Sequence, residues 1–254
     1  KENNDLALQA HSGVTQDVRD KSISVGQELK QLEQDFEAKK EKFDFLYFRC
    51  PNICQDEVPV GNKESNKVVK VVGEKPTFSF DVKNHIDLVK QNKWINFEAA
   101  AKMTGSNFVM YQNQGVKAVY SLMLMMLKNN IAHGFIPMLP PYMINDESLF
   151  VAGNFPKFKE DVYRICDEDL YMSPTSEVNL TNIYRDNIFS EDELPLRMTS
   201  WTSCFRREAG GYGATERGLI RIHQFEKVEI YTICKQENSN DELDRMIACA
   251  EEIL

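Results

Sequence analysis

Two runs of alternating apolar and polar residues, 197–208 and 219–233, flank the glycine-rich stretch Ala209 to Gly218. Successive side chains of a strand point to opposite faces, so such alternation reads as β-structure, and the glycine-rich connection makes the pair a long antiparallel hairpin with a flexible tip. On the first run Trp201 and Phe205 share one face, and Arg206 and Glu208 share the other. On the second, Arg221, His223, Phe225, Lys227 and Glu229 fall on one face, with Ile222, Val228 and Ile230 on or near the opposite one. The loop carries charges of its own, Glu216 and Arg217. One face therefore offers a guanidinium, two carboxylates and an aromatic ring. An arginine fork binds phosphate oxygens and stabilises charge growing on them. A carboxylate accepts from an adenine amino group or an ammonium, and a ring gives a stacking surface. These are the groups needed by a nucleotide together with a cationic amine. The competing reading is a solvated strand face whose surface ion pairs contribute ~0–1 kcal/mol each. No Gly-Lys-Ser/Thr follows the glycines, so the loop is not a P-loop.

Upstream, apolar residues at Val25, Leu29, Leu32, Phe36, Phe43 and Leu46 step by four and three, broken only at Lys39, with polar residues between them. That is a heptad seam, which in water needs a partner helix. Asp5 to Asp20 is the available partner, and an antiparallel helical pair is expected. Pro51 stops the helix, and the linker PNICQDEVPVGNKESNK sets the expected domain boundary at 50/51. VVKVVGEKPTFSF reads as short strands. NHIDLVKQNKWINFEAAAKMTG has helical spacing and ends in a Thr-Gly turn. Gln114 to Ile131 reads as a long apolar helix closed by Gly134, its methionines Met123, Met125 and Met126 suited to a core or a subunit interface. The prolines of GFIPMLPPYMI forbid helix and confine that segment to a sheet edge or bulge. PTSE, at Pro174 to Glu177, reads locally as an N-cap and capping-box start.

The balance of 39 acids against 30 bases, net −9, argues against a protein that coats nucleic acid without specificity, while leaving room for a local patch that docks one RNA. The six cysteines lack a disulfide or zinc spacing and read as reduced thiols. No apolar run approaches the ~18 residues of a membrane span. The chain opens on Lys1 and stops within a helical pattern at Leu254, so further residues are expected at both ends.

FRREAG, the glycine loop and RGLIRIHQFEKVE together resemble motif 2 of the class II aminoacyl-tRNA synthetases. Their wording is similar to that of the seryl-tRNA synthetase family, as are VPVG, MTGSNF, HGFIPMLPPYMI, FPKF and SPTSEVNLTN, in the family's order. The resemblance implies an α+β fold: an antiparallel sheet of six or seven strands flanked by helices, with an N-terminal helical coiled-coil arm. It implies a tRNA-binding arm over 1–50 and a catalytic domain over 51–254, cut before motif 3. The activity implied is ATP-dependent formation of seryl-adenylate and transfer of serine to tRNA(Ser), with Mg2+, in a cytoplasmic homodimer built on the motif 1 helix and strand. By motif position, Arg206 is the catalytic residue on the α-phosphate, and Arg207, Glu208, Ile222 (through its backbone) and Phe225 (stacked on adenine) join it in binding ATP. Thr175, Ser176, Glu177 and Glu229 form the serine pocket, and no metal ligand falls within this chain. Motif 3 and the acidic metal-binding segment before it are missing. Two alternatives accompany this reading: a prolyl or threonyl enzyme, and a synthetase-derived RNA-binding or regulatory protein without catalysis.

Overall fold

The computed structural model describes residues 15–208 and 218–254. Spatial contacts divide the chain into two units, residues 1–68 and 69–254.

The first unit is dominated by α1 (Gln16–Tyr47), 32 residues long. Thr15 caps it by accepting from the Val18 N–H, and side-chain pairs one turn apart, such as Lys40 with Asp44, lie along its surface. None of its residues is buried: the seam residues Leu32, Phe36 and Leu46 are all exposed. Residues 16–20, expected to belong to a partner helix, instead form the first turns of α1 itself, because Thr15 supplies the cap there. The rest of that partner, residues 5–14, lies outside the described residues. Beyond Tyr47 the linker is exposed and holds a single 3-10 turn at Lys63–Ser65.

The second unit opens on 69–80, where the expected short strands do not form. Val69 is 94 % exposed and Val71 79 %, Gly73 turns the backbone to φ +76°, and among the described residues no neighbouring strand offers these groups an edge. The next helical stretch is two helices, α2 (His85–Asn92) and α3 (Phe97–Thr104). Lys93 in the left-handed region ends the first, and Asn84 and Asn96 cap the two by accepting from Asp87 and Ala99 N–H groups. α4 (Gln114–Ala132) follows. A side chain at Gly115 would place its Cβ 2.4 Å from the Trp94 carbonyl oxygen, so only glycine lets α4 start against that loop.

β1 (Ile136–Met138) lies parallel to β4 (Leu196–Phe205), and β4 pairs antiparallel with β5 (Gln224–Ile233) from Leu196↔Ile233 to Phe205↔Gln224. Pro137 is tolerated because β1 is an edge strand, paired on one side only. A second, two-stranded sheet joins β2 (Met143–Asn145) to β3 (Leu170–Met172). Between α5 (Asp146–Val151), that sheet and α6 (Ser176–Ile183) lies a core of Ile144, Leu149, Phe155, Val162, Tyr171 and Val178. α7 (Ser239–Glu251) closes the described chain. Buried Asn130 of α4 ties the layers together: it donates to Thr199 Oγ1 on β4 at 2.9 Å and accepts from the Cys249 thiol on α7 at 3.3 Å.

The hairpin ladder is shorter than the alternation implied, stopping at Phe205 and resuming at Gln224. Arg206 still donates its N–H to the His223 carbonyl, but the Arg207 N–H turns to Asp161 and the His223 N–H to Asn107. These competing acceptors pull the two runs apart. His223 is correspondingly buried, packed edge-on to Tyr163 and tilted against Phe108, rather than presented on the polar face.

Candidate functional site

The core described above fixes the N-terminus of α6. Thr175, in extended backbone, caps the helix by accepting the Glu177 N–H at 3.3 Å, while Ser173 Oγ lies 2.9 Å from both the Thr175 carbonyl and Asn179 Oδ1. The Phe205 N–H donates to the Ser173 carbonyl, docking the end of β4 against this segment. The capping reading of PTSE holds at Thr175, which also lines the cleft described below.

On β5, side chains two apart share a face, so Phe225, Lys227 and Glu229 lie together, and of these Lys227 and Glu229 reach the α6 cap. Glu229 is the centre of the arrangement. Its Oε2 accepts from the Thr175 hydroxyl at 2.7 Å, the Ser176 hydroxyl at 3.1 Å and the Glu177 N–H at 3.1 Å. Its Oε1 is paired with the Lys227 ammonium at 2.9 Å, and that ammonium also donates to Thr175 Oγ1 at 3.0 Å. The Glu177 side chain is exposed, and this residue contributes its backbone N–H.

Arg206 sits at the other end of the same strand face. Its backbone is pinned to His223 in both directions, and its Nε donates to the Pro174 carbonyl at 3.2 Å. The guanidinium carbon lies 5.2 Å from the centroid of the Phe225 ring, a cation–π contact that holds the fork over the aromatic face. Glu208, in the left-handed region at φ +51°, pairs with Arg221 at 2.5 Å. That ion pair bridges the two ends of the stem from which residues 209–217 depart; these residues, the expected mobile loop, lie outside the described ones.

Thr175, Arg206, Glu208 and Arg221 line a single cleft of about 490 Å³, together with Pro174, Phe158, Val162, Asn154 and Asp161. The Arg206 guanidinium in this lining stands over the Phe225 ring, and Thr175 in the same lining hydrogen-bonds the Glu229 carboxylate; Phe225 and Glu229 are not themselves part of the lining. The arrangement suits a phosphate and a base at one end and a small amine with a polar side chain at the other. Burial pushes the Cys204 thiol up, so this cysteine beneath the strand is a neutral packing group and no nucleophile.

Not every expected residue joins the cleft. Arg207 is exposed and absent from the lining. Ile222 is buried and lines a second cleft of about 400 Å³ with Phe225, Glu226, Val89, Trp94 and Tyr111, and Ser176, Glu177 and Glu229 are likewise absent from the lining of the first. Sequence reading placed Lys227 on the right face but assigned it no part, and it passed over Asp161 and Asn154, which follow directly on the FPKF segment or precede it. Strand parity was the signal for Lys227; nothing local marks the other two.

Comparison with known proteins places the chain in a family. A family model described as the class II core domain of the tRNA synthetases for G, H, P, S and T matches residues 158–254. A serine–tRNA ligase of Desulfotalea psychrophila is 42% identical over 232 residues, covering 91% of this chain and 55% of that protein. One from Campylobacter concisus is 43% identical over 216 residues, 85% of this chain and 52% of that protein. The chain belongs to the seryl-tRNA synthetase family. It spans about half the length of the curated relatives it matches. A solved seryl-tRNA synthetase from Pyrococcus horikoshii, complexed with ATP, superposes with a TM-score of 0.84 at 31% identity, over 99% of this chain and 62% of that one. The cytoplasmic serine–tRNA ligase of Naegleria fowleri, at 23% identity and a TM-score of 0.78, shares the fold over 99% of this chain and 61% of its own. The class II synthetase fold expected from the resemblance is therefore the fold of this family member.

Proposed function

We propose that the full-length protein activates L-serine with ATP to seryl-adenylate and transfers the seryl group to tRNA(Ser). The observation that carries this reading is the cleft in which Arg206 and Thr175 stand together, with the Arg206 guanidinium over the Phe225 ring and Thr175 and Ser176 holding the Glu229 carboxylate. In the activation step a serine carboxylate oxygen attacks the α-phosphorus of ATP, the bond from that phosphorus to the bridging oxygen breaks, and pyrophosphate leaves with the electron pair. Arg206, committed through Nε alone among the described hydrogen bonds, has its terminal nitrogens to bind the α-phosphate and stabilise charge in the pentavalent transition state. Phe225 stacks on adenine, Arg207 and Glu208 flank the nucleotide, and Ile222 meets it through its backbone. Glu229, Thr175, Ser176 and Glu177 receive the amino acid, a charge-assisted contact for its ammonium or hydroxyl. Among the described residues no cluster of three His, Cys, Asp or Glu side chains could hold a metal. Mg2+ enters this reading as the counter-ion that ATP brings, and no step is routed through it.

The same reading divides the chain into an arm over 1–50, which meets tRNA, and a catalytic part over 51–254. It places the protein in the cytoplasm; no described helix is long and apolar enough to cross a membrane. A homodimer built on α4 and β1 is supported by exposed Tyr120, Leu124, Met125 and Ile136 on those elements. All of the relatives compared carry the serine name, which favours serine over proline or threonine.

The test is amino-acid-dependent ATP–pyrophosphate exchange by the full-length protein with serine, threonine and proline in parallel. Exchange with serine alone is expected. Exchange with another of the three overturns the substrate, and silence from all of them overturns the activity in favour of a non-catalytic RNA-binding role.

A further inference from the structure

Lys227 is the partner of Glu229 to which the reaction above gives no task, and its placement, bonded also to Thr175 of the cleft lining, is specific. We propose that Lys227 is a resident cation that occupies the ammonium subsite of the amino-acid pocket and must leave Glu229 before an amino acid binds there. The inference rests on the reading of this cleft as an amino-acid site.

Three donors already converge on Glu229 Oε2: the Thr175 and Ser176 hydroxyls and the Glu177 N–H. Oε1 is the oxygen left for a substrate cation, and Lys227 Nζ holds it at 2.9 Å. The same ammonium donates to Thr175 Oγ1 at 3.0 Å, so it sits where two acceptors from different elements, β5 and the α6 cap, converge. That is the geometry in which an amino acid's own ammonium would be held. The Glu229 side chain is 13% exposed and that of Lys227 32%. The carboxylate is thus enclosed enough to need a counter-charge, while the lysine, on a flexible four-carbon stem, keeps a route out. Its neighbour on the strand face is Phe225, over which Arg206 lies, so the displaced ammonium stays beside the end of the cleft that takes phosphate. Amino-acid binding thereby delivers a second positive charge toward the nucleotide. One displacement couples the two halves of the site.

A lysine with a purely structural part would, when removed, weaken binding or leave it unchanged. A resident cation has the opposite signature. In the full-length protein, Lys227→Met relieves serine of its competitor and leaves Glu229 in need of a cation. The serine KM in pyrophosphate exchange, and the serine Kd by calorimetry, are expected to fall about tenfold, while kcat also falls. Lys227→Arg, which restores a cation, returns both toward wild type. A KM that is unchanged or raised in a folded Lys227→Met protein overturns the proposal. If that variant does not fold, the wild-type protein decides: acetylation of Lys227 by an N-hydroxysuccinimide ester, read by peptide mass spectrometry as a ratio to exposed Lys30 so that consumption of the ester by the ligand's own amine cancels, should accelerate when serine saturates the site. If the wild type shows no serine-dependent exchange, the amino-acid reading has failed by itself, and methylammonium replaces serine as the probe in the same footprint. Faster labelling of Lys227 with methylammonium upholds the resident cation, and unchanged labelling overturns it.

Discussion

Glu226 and Glu229 stand three residues apart on one strand, both partly buried, and face opposite sides of the hairpin. Glu226 is closed by neutral donors from its own hairpin: the Trp201 indole N–H at 2.6 Å and the Ser203 hydroxyl at 2.5 Å, Ser203 being its direct cross-strand partner. Glu229 is closed by a separate helix cap and by a cation, bonded to Thr175 of the cleft lining. The first is a cross-strand bolt. The second draws three donors from the α6 cap, more than fifty residues away in sequence, and a cation from its own strand. Burial and hydrogen-bond satisfaction alone do not separate a structural carboxylate from a working one; the identity and independence of the partners do.

That contrast breaks most visibly at the phosphate end of the Glu229 face. Arg206→Ala should raise the activation barrier by ~2–4 kcal/mol, read as kcat/KM in serine-dependent pyrophosphate exchange by the full-length protein. An unchanged rate would remove Arg206 from the chemistry. Next comes the carboxylate itself. Glu229→Gln keeps the shape but strips the charge that Lys227 and the substrate ammonium both use, and should cost about 2–3 kcal/mol in kcat/KM for serine. If serine kinetics survive this change intact, Glu229 is as structural as Glu226.

The hairpin was legible in the sequence because its signals are local. Alternation put Phe225, Lys227 and Glu229 on one face, and the structure keeps them there. Its ends were not legible: the carbonyls of Asp161 and Asn107 take the Arg207 and His223 N–H groups out of the ladder, and neither is near them in sequence. Lys93 broke the expected helix for a local reason, its left-handed backbone, in a stretch whose apolar spacing continues without interruption. Residues 68–80 show the converse failure. Their valines and phenylalanines have strand propensity, but a strand exists only where another edge receives it. Of the site, the motif residues were readable, whereas Asp161 and Asn154 reach the cleft only through the packing of the core around Phe155 and Val162.

A third carboxylate calibrates the other two. Glu242 on α7 is 10% exposed and takes the Arg197 guanidinium through Nε at 2.8 Å and through the terminal nitrogen, with no cleft nearby among those described. The Arg197 hydrogen bond holds the Glu242 carboxyl below the usual carboxylate range. Its stabilising contribution is therefore complete above the unfolded value of about 4.3 and fades as the pH falls toward the lower folded value. Glu242→Gln should cost about 2 kcal/mol of stability in urea denaturation at neutral pH, and the gap to wild type should narrow in acid. A gap that persists unchanged in acid would show that the pair's charge contributes nothing.

The smallest effect belongs to Glu226, and it is the most discriminating. Burial pushes the Tyr111 phenol up, and the Glu226 charge adds to that rise, so the carboxylate stands among groups that gain nothing from its charge beyond two neutral donors. Glu226→Gln keeps an acceptor for the indole or the hydroxyl and should cost only about 1 kcal/mol, a fall of about 2–4 °C in Tm. The serine KM should stay at its wild-type value, because Glu226 faces away from Glu229 on the strand and is absent from the lining that Thr175 and Arg206 share; it lines the second cleft with Ile222 and Phe225, so any kinetic effect is expected in the ATP KM. A Glu226→Gln protein of near-normal Tm whose serine KM nonetheless rises tenfold would mean that the hairpin transmits between its faces, and the division between bolt and site would have to be redrawn at the strand rather than at the side chain.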